Sequence, residues 1–266
     1  MLNLVKNPNY MIVITHLCGY ARVLSIDYLF SSFFMEEYMF QRCIDLVGID
    51  NFNKIKNTYV LVVGLGGVGG TTVEALIRSG ISNIIIMDYD IIEDSNLNRQ
   101  IITNRNNIGM KKVIECEKRI KSINSECNVI ALNMFLDKDN ISILDDYRID
   151  YIIDCCDTIN AKKLLIDYSI DKNIKLISSM GTANKLDPSK LEICDIRKTS
   201  YDPLAKIIRK YVLDKKTNKK IMVVSSIESP VRKDSLASMM IVPSTAGLLL
   251  ASYVINDIIK EKDLIH

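Results

Sequence analysis

The sequence predicts an α/β fold: a doubly wound, mostly parallel sheet with helices on both faces and a C-terminal α/β extension. Three observations carry this. Short, wholly apolar, β-branched runs such as Tyr59-Val-Leu-Val-Val63 alternate with helical stretches from residue 59 onward, the pattern of strands covered on both faces. A glycine cluster, Gly64-Leu-Gly66-Gly67-Val-Gly69, follows the first such run, where a βαβ unit makes its tight turn. Two later runs end in aspartate, Asp88 and Asp154, as strands do when their C-terminal ends meet polar ligands.

Taken in order, residues 59–63 read as the first strand, and a helix over about 71–79 stops at Gly80. Ile84 to Asp88 reads as the second strand, 109–123 as an amphipathic helix and Val129 to Phe135 as the third strand. Tyr151 to Asp154 is the fourth strand, 160–172 its helix and Lys175 to Ser179 the fifth strand. This succession places a nucleotide-binding core at about 55–180. Beyond it the rhythm changes. Leu191–Ile196 and Ile221–Ser226 read as strands flanking a basic helix at 202–213, and Ser244 is the expected N-cap of a final helix to about Lys260. Residues 228–235 form the expected mobile loop, and 181–266 the substrate-binding part.

The 266 residues are 48% hydrophobic and 25% charged, the balance of a globular protein. A formal charge of +2 excludes a global field that recruits nucleic acid, though not a local patch. The seven cysteines contain no CxxC pair, which excludes a zinc ribbon and points to reduced thiols in a cytoplasmic compartment. Cys155 and Cys156 are expected as small buried hydrophobes. No uninterrupted apolar run reaches 18 residues, so no spanning helix is expected. Residues 1–34 form an N-terminal extension before a domain that starts at Met35. Its stretch 11–34 reads as upstream chain, a weak targeting segment or an interfacial helix at a membrane surface.

The glycine cluster alone suits any dinucleotide: glycines admit phosphates to the backbone, and the helix N-terminus presents free N–H groups. On its own it reads as a dehydrogenase site. The residues downstream overturn that. Asp88-Tyr-Asp90 is succeeded by Asn96-Leu-Asn98-Arg99-Gln100, then Gly109-Met-Lys-Lys112, then Asp154-Cys-Cys-Asp157. Hydride transfer has no use for this set. Arg99 and Lys112 suit a triphosphate, with a carboxylate at a strand end, Asp157, to hold magnesium.

In these ordered motifs the chain resembles the ThiF/ubiquitin-activating-enzyme-like adenylating superfamily over about residues 36–260. The resemblance implies a Rossmann-like adenylation domain in which Gly64, Gly66, Gly67 and Gly69 line the ATP phosphates and Asp88, with Asp90 beside it, binds ribose. By the same resemblance Asn96, Arg99, Gln100 and Lys112 surround the phosphates, Asp157 ligates Mg2+, and Arg42, Arg99, Lys112 and Asp157 are the catalytic set. Phe40-Gln-Arg42 before Gly48 resembles the segment that carries an arginine finger into a partner's site, which implies a homodimer.

The C-terminal third resembles one branch, the tRNA threonylcarbamoyladenosine dehydratases, in Ser179-Met-Gly-Thr-Ala-Asn-Lys-Leu-Asp-Pro188, Asp195-Ile-Arg-Lys-Thr-Ser200, Asp202-Pro-Leu-Ala-Lys206 and Ile241-Val-Pro-Ser-Thr-Ala-Gly247. The resemblance implies ATP-dependent adenylation of a tRNA-borne carboxylate followed by ring closure, with no covalent cysteine and no zinc. It also admits a sulfur-relay protein as a partner. Cys194, flanked by acids, is a poor nucleophile. Residues 195–220 carry nine cations against three aspartates, a local +6 suited to tRNA phosphates. The alternatives are an adenylyltransferase acting on a Gly-Gly carrier tail, an NAD-dependent oxidoreductase and a non-enzymatic scaffold. Arg42, Arg99, Lys112 and Asp157 argue against the last.

Overall fold

A computed structural model of the chain describes residues 3–7, 10–14, 39–231 and 236–260. The chain divides into two units, Met1–Met39 and Phe40–His266. In the first, β1 (Asn3–Asn7) pairs antiparallel with β2 (Tyr10–Ile14), Asn3 opposite Ile14. The stretch expected as an interfacial helix therefore opens as a strand, and residues 15–38, including Met35, lie outside the described residues.

The second unit is built on seven strands: β3 (Tyr59–Val63), β4 (Asn83–Met87), β5 (Asn128–Leu132), β6 (Tyr151–Asp154), β7 (Lys175–Ser179), β8 (Leu191–Asp195) and β9 (Met222–Ser226). Their order is β5-β4-β3-β6-β7-β9-β8, parallel except for β8, which runs antiparallel to β9. The expected doubly wound sheet and its C-terminal extension are both present. Side-chain alternation along each strand divides the core in two. Val60, Val62, Ile84, Ile86 and Ile153 pack on one face with α3 (Gly69–Arg78), α4 (Lys112–Ile123) and α7 (Ile241–Lys260). Leu61, Val63, Ile85, Met87 and Ile152 pack on the other with α5 (Ile159–Asp171) and α6 (Pro203–Asp214).

Several boundaries differ from expectation for identifiable reasons. The third strand of the sequence reading, expected to reach Phe135, stops at Leu132 as β5 because β4 ends opposite it at Met87. Phe135 instead turns its ring edge-on to Tyr89, centroids 5.0 Å apart. The helix expected from 109 starts at Lys112, after Gly109 takes φ +84° and Lys111 bridges to Ile91. Ser244 is not an N-cap. The last helix begins at Ile241, and the Ser244 N–H already donates to the Met240 carbonyl. Pro243 is tolerated there because a first-turn N–H has no intrahelical acceptor. Residues 232–235 of the loop expected to be mobile lie outside the described residues.

Among the described residues α7 alone is long and apolar enough to cross a membrane. Ala246, Leu250, Ala251, Val254 and Ile258 are buried in the core with α3, which explains its composition without a bilayer. The two helices touch backbone to backbone. A Cβ on Gly247 would stand 2.5 Å from the Val68 carbonyl oxygen, and Thr72 Oγ1 donates to the Gly247 carbonyl at 3.2 Å. Before β3 lie α1 (39–47) and α2 (Ile49–Asn57), anchored by the Phe40 and Phe52 rings at 5.3 Å.

Candidate functional site

The connections leave β3 and β6 toward opposite faces, and the C-terminal ends of these neighbouring strands open a cleft of about 1410 Å³. Ligands of open α/β sheets bind at such a switch point. Ten of the twelve residues singled out in the sequence line it: Gly64, Gly66, Gly67, Asp88, Asp90, Asn96, Arg99, Gln100, Lys112 and Asp157. Gly69 and Arg42 do not.

The glycines divide the work. Gly64 takes φ +89°, and a Cβ on Gly69 would lie 1.8 Å from the Gly64 carbonyl oxygen. Gly69 therefore closes the turn onto α3 and serves the backbone, a role that the motif alone does not separate from phosphate contact. A Cβ on Gly66 meets no protein atom closer than 4.0 Å; that glycine keeps the cleft open instead.

Asp88 is buried and accepts the Leu65 N–H at 2.6 Å and the Asp90 N–H at 2.8 Å. It ties the glycine turn to the loop after β4. Lys112 is buried at the start of α4, and its Nζ meets Asp90 Oδ2 at 2.7 Å. Arg99 is held by the Ser95 carbonyl at 2.6 Å and by Asn98 Oδ1 at 2.9 Å. Gln100 is buried with its Oε1 lacking any hydrogen-bond partner among the described residues. A buried orphan acceptor in a cleft calls for a donor from a ligand.

Four carboxylates line the cleft: Asp88, Asp90, Asp157 and Asp202. Three are held by backbone amides or a lysine. Among the described residues Asp157, exposed after β6, accepts only the Thr158 hydroxyl at 3.4 Å. A hard divalent cation takes oxygen ligands and shares them with phosphates and water, so Asp157 fits Mg2+ as a single protein ligand. The described residues offer no cluster of three or more His, Cys, Asp or Glu side chains for a closed metal site.

Beneath Asp157 lies a network that sequence reading missed. Lys162, on the first turn of α5, is 0% exposed. Its Nζ donates to Asp154 Oδ2 at 3.0 Å, Ser178 Oγ at 3.2 Å and the Ser179 carbonyl at 2.8 Å. Asp154 Oδ1 in turn accepts the Cys156 N–H at 3.1 Å, which fixes the path of the chain to Asp157. Burial opposes the Lys162 charge, but the Asp154 carboxylate outweighs it and the net direction of the lysine pKa is upward. The lysine's contribution to stability is thus complete below its ordinary value, about 10.4, and is lost as pH rises through the raised folded-state value. Cys155 and Cys156 are half-buried, each packed against one side of the core while also lining the cleft. Burial pushes the Cys155 thiol up to about 12 and Cys156 well above its ordinary value, so neither is a thiolate. Burial and Glu192 likewise push Cys194 up to about 11.

The basic segment is narrower than its +6 suggests. Asp195 and the Thr217 carbonyl hold Arg197, Thr199 holds Arg209, Asp167 pairs with Lys215 at 2.7 Å, and the Ile170 carbonyl takes Lys219. Lys206 and Lys210 instead line a groove of about 600 Å³ with Lys163. Pro203 and Ile207 border both this groove and the cleft. Arg42 stands exposed on α1 with Leu46 one turn on and Ile49 beyond it, the latter two 84% and 52% exposed.

A sequence profile of the ThiF family matches residues 38–262. The chain belongs to the ThiF family. Within that family it is 37% identical over 246 residues to the tRNA threonylcarbamoyladenosine dehydratase of Bacillus subtilis (strain 168), covering 85% of this chain and 97% of the relative. The crystal structure of the E. coli tRNA N6-threonylcarbamoyladenosine dehydratase in complex with ATP superposes with a TM-score of 0.82 at 29% identity, covering 86% of this chain and 97% of that one. More distant is the ThiF-family similarity to an adenylyltransferase and sulfurtransferase of Vanderwaltozyma polyspora, 34% identical over 139 residues, 52% of this chain and 31% of the relative.

Proposed function

We propose that the chain is an ATP-dependent tRNA threonylcarbamoyladenosine dehydratase. The substrate carboxylate attacks the α-phosphorus of ATP and pyrophosphate departs, giving an acyl-adenylate. The neighbouring carbamoyl group then closes on the activated carbonyl and AMP leaves. Because this nucleophile belongs to the substrate, closure is intramolecular and favoured by proximity. The protonated Cys155 and Cys156 suit a site that needs no thioester.

The observation that carries this reading is the meeting of two segments in one cleft. The nucleotide set from Gly64 to Asp157 lines one half, and the segment from Ser179 to Lys185 with Tyr201 to Leu204 lines the other. In this reading Gly66 and Gly67 admit the phosphates to the α3 N-terminus, Asp88 and Asp90 face ribose, and Asn96 and Gln100 position the nucleotide. Arg99 and Lys112 offset charge on the phosphates. Asp157 would hold Mg2+, which when bound would supply Lewis-acid neutralisation of developing phosphate charge. The adenylation domain spans 35–266, with a nucleotide core at about 55–180 and residues 1–34 as an extension. A cytoplasmic setting agrees with the six free cysteines among the described residues. Incubating tRNA that carries threonylcarbamoyladenosine with the protein and ATP, then digesting it for nucleoside mass spectrometry, tests the reaction. A product lighter by one water, formed with AMP and pyrophosphate, is expected. Pyrophosphate exchange driven by a Gly-Gly tail instead would establish the carrier-protein alternative.

The reading includes a homodimer in which Arg42 reaches the partner's nucleotide, and a sulfur-relay protein as a further partner. The exposed Leu46 and Ile49 beside Arg42 supply the apolar contact that such a face requires. Mixing inactive Arg42→Ala chains with inactive Asp157→Asn chains restores about one site in two per mixed dimer on this arrangement. Mixtures that stay dead while subunit exchange is demonstrated with a label exclude it.

Lys163, Lys206 and Lys210 line a groove that shares Pro203 and Ile207 with the cleft, and in this reading they follow a tRNA backbone toward it. Reversing all three to Glu lowers tRNA affinity and flattens its salt dependence by about one unit of log–log slope per lost phosphate contact. ATP affinity stays unchanged. The check is a tRNA titration at several salt concentrations; an unaltered slope returns the groove to an ordinary solvated surface.

A further inference from the structure

The half of the cleft at the ends of β7 and β9 holds a cation that the nucleotide site does not use. Lys185 is 5% exposed and lines the cleft. Among the described residues its Nζ donates a single hydrogen bond, 2.6 Å to the Glu228 main-chain carbonyl, and an ammonium carries three donors. The nearby carboxylates are spent elsewhere. Glu228 turns its own carboxylate to the Leu186 and Asp187 N–H groups at 3.1 and 3.0 Å. Asp202 accepts the N–H groups of Gly181, Leu204 and Ala205. A buried charge without an ion pair among the described residues is costly, and burial, opposed by the charges of Asp202 and Glu228, pulls the Lys185 pKa down. Arg99 and Lys112, the other cations lining the cleft, lie after β4, across β3 and β6 from β7 and β9.

We propose that Lys185 binds the carboxylate of the acyl substrate and presents it to the α-phosphate of ATP. The proposal rests on the dehydratase reading for the identity of that substrate. Two anions must approach each other in this reaction, and the unused donors of Lys185 offset the repulsion on the acceptor side. One carboxylate oxygen bonds to the α-phosphorus as the bond to pyrophosphate breaks, and that electron pair leaves with pyrophosphate. Lys185 keeps its proton throughout. Its interaction is strongest with the free carboxylate and weakens as the charge leaves, so its loss is felt in KM for tRNA more than in kcat.

Lys185→Gln removes the charge while keeping a donor for the Glu228 carbonyl. KM for modified tRNA rises by roughly 10- to 100-fold, the span of a hydrogen bond to a charged group. Affinity for ATP, titrated on the same preparation, changes less than about twofold, since ATP lies in the other half. Competitive binding of the free threonylcarbamoyladenosine nucleoside against its carboxamide analogue gives a readout that a merely structural role does not move. The native chain prefers the carboxylate by about 10-fold or more, and Lys185→Gln binds both alike. A variant that keeps this preference, or loses ATP affinity in parallel, overturns the proposal; Lys185→Met replaces it in the same comparison if Lys185→Gln fails to fold. A native chain that prefers the nucleoside carboxylate yet converts no modified tRNA refutes the dehydratase reading and leaves Lys185 as a carboxylate site.

Discussion

Asp157→Asn lowers the rate of AMP formation by about 100-fold or more, about 2.7 kcal/mol of transition-state stabilisation. Asparagine keeps the shape of the side chain and its Thr158 contact but removes the charge, and Asp157 alone of the lining carboxylates has no backbone-amide or lysine partner among the described residues. The loss is therefore one of charge at the phosphates and not of fold. Thermal unfolding without nucleotide stays within about 2 °C of the native chain, as for exposed substitutions away from structural features. Single-turnover assays across a magnesium titration provide the check. AMP release at the native rate under saturating magnesium removes Asp157 from the reaction.

Lys162→Met has the opposite signature, a large loss of stability. It strands the Asp154 carboxylate, 0% exposed, with only Ser178 and the Cys156 donors. Breaking a buried ion pair from one side costs about 3–5 kcal/mol, a fall in Tm of roughly 6–20 °C for a domain of this size. Adding Asp154→Asn removes the stranded charge and recovers part of the loss. Calorimetry on the native chain, the single variant and the double variant measures this. A single variant melting within about 2 °C of native refutes the network's structural role.

Much of this fold is legible in one dimension. Residues 59–63, 151–154 and 175–179 are read to the residue, because each is an apolar run bounded by polar residues, glycine or aspartate. Boundaries set by a neighbour are not legible: β5 ends where β4 runs out of ladder, and the start of α7 depends on Met240 accepting the Ser244 N–H. The nucleotide half of the cleft is legible because its residues follow strand ends closely and in order. The roles of the lysines on α5 are not. Lys162 and Lys163 are adjacent, yet one is wholly buried on Asp154 while the other is half-buried over the Tyr211 ring. The available signal was Asp154 closing a wholly apolar strand with a lysine eight residues on. Lys185 gave less, since its environment is assembled by the loop after β9.

The close contact of Gly247 with the start of α3 also bears on the order in which the molecule is made. The glycine turn is synthesised early, but the helix that braces it comes 175 residues later, the separation between Thr72 and Gly247. At about 5–20 residues per second of synthesis, the turn waits roughly 9 to 35 seconds on the ribosome for its brace. A contact of such long range forms late in folding because its loop-closure entropy must be met first. Nascent chains lacking α7 therefore carry the whole nucleotide signature without the helix that holds it in place. The brace on the glycine turn is available only after α7 has been made.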